Sequence, residues 1–272
     1  MMKNLWNTPS LPQLNAIKPS QSCIYKMVGN TGLPMNLYLP EKQSSLCSDF
    51  FFVMIHGGAW QAVHASDPVW KGSFLDAQAR YYTALGFPTA SISYRSIDFS
   101  PDTKMEDLVT DCRDALVFLK KRFGFRRFIL LGESAGAHLT LMLTLQRSPD
   151  IYAVIAVNHV TDLTIERWHF TAPDQDTRYR FSPLYQICPT QTKIFCLHGD
   201  ADQVVDYHLS ESFCEKMTAL GNLCDFHLVP GAAHAFLLMG YRSTPEEVLS
   251  YMELIDAWLW QHVFCNNNLP HE

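Results

Sequence analysis

Gly132-Glu133-Ser134-Ala135-Gly136 lies between two apolar runs of different kinds. Arg127 to Leu131 is short and continuous, as expected of a strand buried on both faces. Ala137 to Leu145 extends the apolar character far enough to read as a buried helix. Joining a strand directly to a helix leaves room only for a very sharp turn. The residues around the serine must then be small, and Gly132, Ala135 and Gly136 are. A hydroxyl at the apex of such a G-x-S-x-G turn stands exposed at a helix N-terminus, where the helix dipole favours negative charge. The alternative is a glycine-rich turn with an incidental serine, and the rest of the chain separates the two.

A serine hydroxyl is a weak nucleophile near neutral pH. It needs a base, and the base needs an orienting acid. Ile194 to Leu197 reads as a strand, followed by the loop His198-Gly199-Asp200-Ala201-Asp202. Phe226 to Val229 reads as another, and Pro230 to His234 is its exit loop. Ser134, Asp202 and His234 therefore each fall just beyond the C-terminal end of a strand, the edge where functional groups collect in an open parallel sheet. His234 stands out among the 11 histidines by this position and by its small neighbours Gly231, Ala232 and Ala233. Asp202 is preferred to Asp200, which lies against Gly199 and suits a role in the turn; Asp162 is a more remote candidate.

Acyl transfer also requires donors for the oxyanion, commonly the largest single catalytic contribution. Phe50 to Ile55 reads as a buried strand ending in His56-Gly57-Gly58-Ala59-Trp60. Glycines there let the backbone approach a substrate and turn its N–H groups inward. The expected donors are the amides of Gly58, Ala59 and Ala135. Trp60 and Phe236 flank the oxyanion loop and the base, and with Trp168 they are the expected substrate-binding residues. Trp60 is equally suited to fixing the loop from behind.

With these residues in place the chain resembles the α/β-hydrolases, and within them the esterases with an H-G-G-x-W oxyanion loop related to the hormone-sensitive lipase group. The resemblance spans about residues 23–264. It is carried by His56 to Trp60, Ser93-Tyr94-Arg95, Gly132 to Gly136, Ser182-Pro183-Leu184, His198 to Asp202 and Gly231 to His234. Two sub-families fit: small carbohydrate esterases that remove acetyl or feruloyl groups, and arylformamidases, which share H-G-G-x-W and an S-A-G-A-H-L elbow like Ser134 to Leu139. Ala59 stands where the lipase group usually has a third glycine, and that group also carries a longer N-terminal cap. The resemblance implies a serine esterase acting through Ser134, Asp202 and His234 on short acyl esters, with a small-molecule or carbohydrate ester as partner. The alternatives are an arylformamidase, a small serine peptidase, and a non-catalytic binding module on the same scaffold.

At 272 residues the chain is long enough for one large α/β domain. A net charge of −6, without a basic stripe, leaves no electrostatic footprint for nucleic acid. No continuous apolar stretch is long enough to span a membrane. Met1 to Ser10 lacks the apolar core of a secretory signal, and the 8 cysteines form no C-x-x-C pair. Cys112, Cys196 and Cys214 fall within expected helices or strands, as free thiols used as small apolar residues do. The expectations are a cytoplasmic protein, no structural metal and no cofactor, since neither an H-E-x-x-H nor a phosphate or dinucleotide loop occurs. Nothing in the sequence signals an oligomeric state.

Along the chain, residues 1–22 read as an irregular arm and 23–272 as a single domain. Cys23 to Gly29 and Met35 to Leu39 read as a hairpin, Trp70 to Leu85 as a helix, and Thr89 to Tyr94 as a strand. Met105 to Arg122 carries Leu108, Val109, Cys112, Ala115, Leu116 and Leu119 on one helical face. Ile151 to Val157 reads as a strand, and 206–220 and 246–263 as helices. Alternating strands and helices imply a mostly parallel sheet with helices on both faces. Residues 161–181 break this rhythm with Trp168, His169, Phe170 and Tyr179. They read as a short lid or acyl-pocket wall, or else as a surface loop whose aromatics pack locally.

Overall fold

The computed structural model describes residues 8–42, 49–62, 72–147 and 150–265. Eight strands form one sheet: β1 (Gln21–Val28), β2 (Thr31–Tyr38), β3 (Phe50–Ile55), β4 (Thr89–Ile92), β5 (Arg127–Glu133), β6 (Ile151–Val157), β7 (Lys193–Gly199) and β8 (Cys224–Val229). Their order is β1-β2-β4-β3-β5-β6-β7-β8. The β1–β2 and β2–β4 pairs are antiparallel, and all pairs from β4 through β8 are parallel.

The continuous apolar strands follow from burial on both faces. In β3, Phe51, Val53 and Ile55 join one core cluster while Phe50, Phe52 and Met54 join the other. Successive side chains point to opposite faces, so each alternate residue needs its own apolar cover. On the first face the cover comes from α3 (Met105–Phe123), α4 (Ala135–Leu145) and α6 (Tyr207–Ala219). On the second it comes from α1 (Leu11–Ala16), α2 (Asp76–Ala84) and α7 (Pro245–Leu259). Helix α3 keeps the stripe expected of it, with Leu108, Val109, Cys112, Ala115, Leu116 and Leu119 all buried, and stops at Gly124 (φ 77°). The Ser93-Tyr94-Arg95 motif has a structural task. Arg95 grips buried Asp111 of α3 with Nε–Oδ2 2.7 Å and Nη2–Oδ1 2.8 Å.

The structure departs from the sequence reading in three places. The arm is not wholly irregular. Ser10 and Gln13 form a capping box that starts α1, with Pro12 in its first turn, and Leu14 is buried. Thr8 Oγ1 donates to Glu253 of α7 (2.6 Å), and β1 begins at Gln21 rather than Cys23. The helix expected from Trp70 is a 3-10 turn, Gly72–Leu75, followed by α2; Trp70 and Lys71 lie outside the described residues. Residues 161–181 contain a 3-10 helix, Glu166–Thr171, and the short helix α5 (Gln175–Arg180). Ser182 Oγ ties both ends of that segment together, accepting from Leu163 N (2.7 Å) and donating to Arg178 O (2.7 Å).

Candidate active site

The turn at Ser134 is as sharp as its sequence demands. Ser134 has φ 53°, ψ −118°, a strained position for a residue with a side chain. A Cβ on Gly136 would lie 1.9 Å from Ile55 O, and one on Gly132 would lie 2.6 Å from Gly136 C. The helix thus presses directly on β3 and on its own preceding strand, which only glycine permits. Ser134 N donates to Val157 O at the end of β6 (2.8 Å), fixing the apex against the neighbouring strand.

Asp202 and His234 reach this point because the exit loops of β7 and β8 are laced together. Asp200 Oδ1 accepts from Gly231 N (2.6 Å), and Ala201 N donates to Ala232 O (3.1 Å). Asp200 is therefore the turn residue. Asp162 is occupied elsewhere, accepting from Thr164 N (2.8 Å) and Tyr185 OH (3.0 Å). His234 Nδ1 lies 2.7 Å from Asp202 Oδ2, and His234 Nε2 lies 3.0 Å from Ser134 Oγ. With Asp202 ionised, Nδ1 carries the ring proton, and Nε2 presents its lone pair to the serine hydroxyl. Asp202 Oδ1 accepts from Val204 N (2.8 Å) and Val205 N (3.0 Å). Burial pushes the Asp202 carboxyl up, but hydrogen bonds from His198, His234 and Val205 outweigh it and hold the carboxyl well below the usual range.

The oxyanion-type loop follows β3. Gly58, Ala59 and Trp60 take successive positive φ values of 101°, 51° and 56°, a conformation that turns the chain tightly beside Ser134. Ala135 opens α4; the first amides of a helix have no partner within it. Trp60 does not line the cleft, contrary to one of its two expected roles. It is buried, and its indole N–H donates to His138 Nδ1 of α4 (3.2 Å). That bond fixes the tautomer of His138, whose Nε2–H donates to Phe181 O (2.7 Å). Burial pushes His138 down to about 4, so it is neutral at physiological pH. Trp60 and His138 thus bolt the loop, the elbow helix and the end of the 161–181 segment to one another.

A cavity of about 560 Å³ opens over Ser134 and His234 and reaches Gly57, Gly58 and Ala59. Of the expected substrate-binding residues only Trp168 lines it, standing edge-on to Trp60 (5.5 Å, 87°). Phe236 is the second correction. It is buried in the α2/α7 core against Tyr251, because the left-handed turn at Ala235 (φ 63°) sends the next side chain inward. The remaining wall was not anticipated: Phe74, Val204, Ala235, Leu238, Met239, Tyr241 and Arg242. An apolar run directly after His234, Ala235 to Met239, was its one visible sequence signal.

Two further buried groups touch the site and were also missed. Glu133, beside the serine, is 1% exposed, and neither carboxyl oxygen has a hydrogen-bond partner among the described residues. Burial, reinforced by the charge of Asp202, pushes it up to about 8. His198, fully buried, places Nε2 3.0 Å from Asp202 Oδ2.

Among the described residues one group of possible metal ligands converges: Cys196, Cys214 and Cys224, all buried, with sulfurs within 4.8 Å of one another. Cys224 opens β8 at the end of that strand opposite His234, so the group offers no ligand to the cleft. No described helix is long and apolar enough to cross a membrane.

The BD-FAE family model matches residues 35–217, well over half of the chain. The chain belongs to the BD-FAE family. Membership makes it an esterase-like α/β-hydrolase. The match takes in the oxyanion-type loop, the elbow and Asp202. His234 lies beyond it and is placed by the geometry. Among solved structures, a thermophilic esterase from the Planctomycetes species Thermogutta terrifontis with propionate bound is 23% identical, with a TM-score of 0.76, 93% of this chain covered and 97% of that one. The butyrate-bound form is also 23% identical at TM-score 0.76, with 98% and 100% covered. The same organism's esterase 2 phosphorylated by paraoxon is 23% identical at TM-score 0.76, with 96% and 98% covered. These likenesses establish the α/β-hydrolase fold. No curated protein matches the chain.

Proposed function

We propose that this BD-FAE protein hydrolyses short-chain acyl esters, including acetyl groups on carbohydrate, through an acyl-enzyme on Ser134. One observation carries the proposal: the unbroken line Ser134 Oγ–His234 Nε2 (3.0 Å) and His234 Nδ1–Asp202 Oδ2 (2.7 Å), opening into the cleft. His234 Nε2 takes the hydroxyl proton as Oγ bonds to the ester carbonyl carbon. The carbonyl oxygen becomes an oxyanion facing the amides of Gly58, Ala59 and Ala135. Asp202 stabilises the imidazolium without taking its proton. As the tetrahedral intermediate collapses, the C–O bond to the alcohol breaks and His234 returns the proton to the departing oxygen. Water then repeats the sequence on the acyl-enzyme, releasing the acid and restoring Ser134.

The cleft supports a short acyl group. Its walls come from short segments, at Phe74, Trp168, Val204 and Leu238 to Arg242, and among the described residues no tunnel-forming domain joins them. An acyl chain gains about 0.8 kcal/mol per CH₂ only where it is buried. The propionate and butyrate in the Thermogutta terrifontis esterase structures are acids of this length.

The test is a p-nitrophenyl ester series together with acetylated and feruloylated sugars and N-formylkynurenine. kcat/KM is expected to fall steeply from acetate or butyrate to palmitate. A fluorophosphonate probe should label the native protein and leave Ser134→Ala unlabelled. Preference for palmitate would overturn the short-chain assignment, and much faster turnover of N-formylkynurenine would make the protein an arylformamidase.

A further inference from the structure

Asp202 Oδ2 receives two imidazoles rather than one. His234 Nδ1 approaches at 2.7 Å and His198 Nε2 at 3.0 Å. His198 sits on β7, four residues before the aspartate, in a fully buried position. Its Nε2 faces two acceptors, Asp202 Oδ2 and Val205 O (3.1 Å), so the proton must be on Nε2. Its Nδ1 lies 2.7 Å from Ser210 Oγ of α6, which then donates its hydroxyl proton to that nitrogen. Ser210 Oγ in turn lies 3.4 Å from Nδ1 of His159, at the exit of β6. Burial holds His159 well below the usual histidine range, so it is uncharged. Ser210 and His159 are fully buried as well. The hydroxyl thereby locks the tautomer of His198 that can donate to the carboxylate.

We infer that His198 is a positioning residue for the reaction: its Nε2–H pins Asp202 and takes up part of the charge on Oδ2 that would otherwise act on His234. The inference rests on the triad proposed above. Hydrogen bonds to one oxygen compete. A second donor at 3.0 Å lowers the electron density that Oδ2 offers the His234 proton. Without it, Asp202 would hold the His234 imidazolium more strongly, and the base would be protonated at a higher pH. The other groups around this assembly are Glu133 on the elbow, Asp200 bound to Gly231 N, Arg167 donating to Gln203 O and Val204 O, Asp206 and His208 at the start of α6, and Arg242 in the cleft wall. Glu133, pushed up to about 8, is common to the native protein and every variant, so its titration cancels when their acid limbs are compared.

The experiment is the pH profile of kcat/KM on p-nitrophenyl acetate for His198→Leu, His198→Gln and Ser210→Ala, with fluorophosphonate labelling of each preparation. A hydrogen bond to a charged group is stronger than one between neutral groups, and a fraction of its effect reaches His234. The acid limb of His198→Leu is therefore expected about 0.5–1 pH unit higher than in the native protein. Its kcat should drop by roughly tenfold or more with KM little changed, the pattern of an interaction acting on the chemical step. His198→Gln, whose amide N–H₂ reaches toward the Nε2 position, should recover most of both effects. Ser210→Ala keeps the ring but loses the tautomer lock, and should give a smaller shift in the same direction. A folded His198→Leu with an unchanged limb and kcat within twofold overturns the inference, as does a His198→Gln limb shifted as far as that of His198→Leu. Should His198→Leu not fold, a Ser210→Ala limb coincident with the native one overturns it. Loss of the inference alone would leave labelling of the native Ser134 intact; a native protein that does not label removes the triad as well.

Discussion

Glu133→Gln isolates the free energy of holding an acid, unpartnered among the described residues, next to Ser134. The carboxyl is buried and moves from 4.5 to about 8 through desolvation and the charge of Asp202. Below pH 4.5 the native and unfolded chains both carry the proton, and the group does not affect stability. Between the two values the native chain keeps its proton while the unfolded chain releases it. The native state therefore binds more protons, and stability falls as pH rises. At about 1.36 kcal/mol per pH unit, the span from 4.5 to about 8 amounts to roughly 5 kcal/mol once both states are ionised, and to about 3 kcal/mol at pH 7. Glutamine has nearly the same shape and no titration. The stability of Glu133→Gln relative to the native protein should thus grow from under about 1 kcal/mol at pH 5 to about 5 kcal/mol at pH 9. Asp256, raised to about 7 by burial, and Asp76, also raised by burial, contribute slopes of the same sign. Both are present in each protein and cancel in the difference. Urea unfolding at pH 5, 7 and 9 measures it. A difference that stays constant with pH would refute a buried, protonated Glu133.

Asp202→Asn should lower kcat by about 10⁴, because the amide cannot hold the His234 tautomer; Asp200→Asn, which weakens only the bond to Gly231 N, should stay within about tenfold, and steady-state kinetics with the reverse ranking would exchange their roles. Trp60→Phe removes the indole N–H and leaves buried His138 Nδ1 without its donor, a loss of about 1–3 kcal/mol in a denaturant titration; unchanged stability would contradict the bolt between loop and elbow helix.

The candidate site was legible in the sequence because each part of it is local. An elbow needs Gly132, Ala135 and Gly136 within one pentapeptide, since the clash that a side chain would cause is with backbone a few residues away or on the next strand. Ser134, Asp202 and His234 each sit one short loop beyond an apolar strand, and a parallel sheet brings such strand ends to one edge whatever the details of packing. The capping box at Ser10 and Gln13 was equally local but belongs to a six-residue helix whose periodicity is too short to register.

What the tertiary structure decided involves partners far apart in the chain. Asp202 and Asp200 are two residues apart and chemically alike; only the approach of the β8 exit loop gives one to His234 and the other to Gly231 N. Trp60 and Phe236 adjoin the site in sequence, yet the backbone turns both into the interior, while Phe74, Val204 and Arg242 arrive from three other segments to form the wall. Glu133 and His198 lie inside the elbow and acid-loop motifs, but nothing in those motifs gives either side chain a task. Their charge and their bonds are set by what surrounds them: Asp202, Ser210, His159 and the exclusion of water by the packed sheet. Motifs specify backbone geometry over a few residues, whereas a pocket wall or a buried charge depends on distances that exist only after the whole sheet has closed.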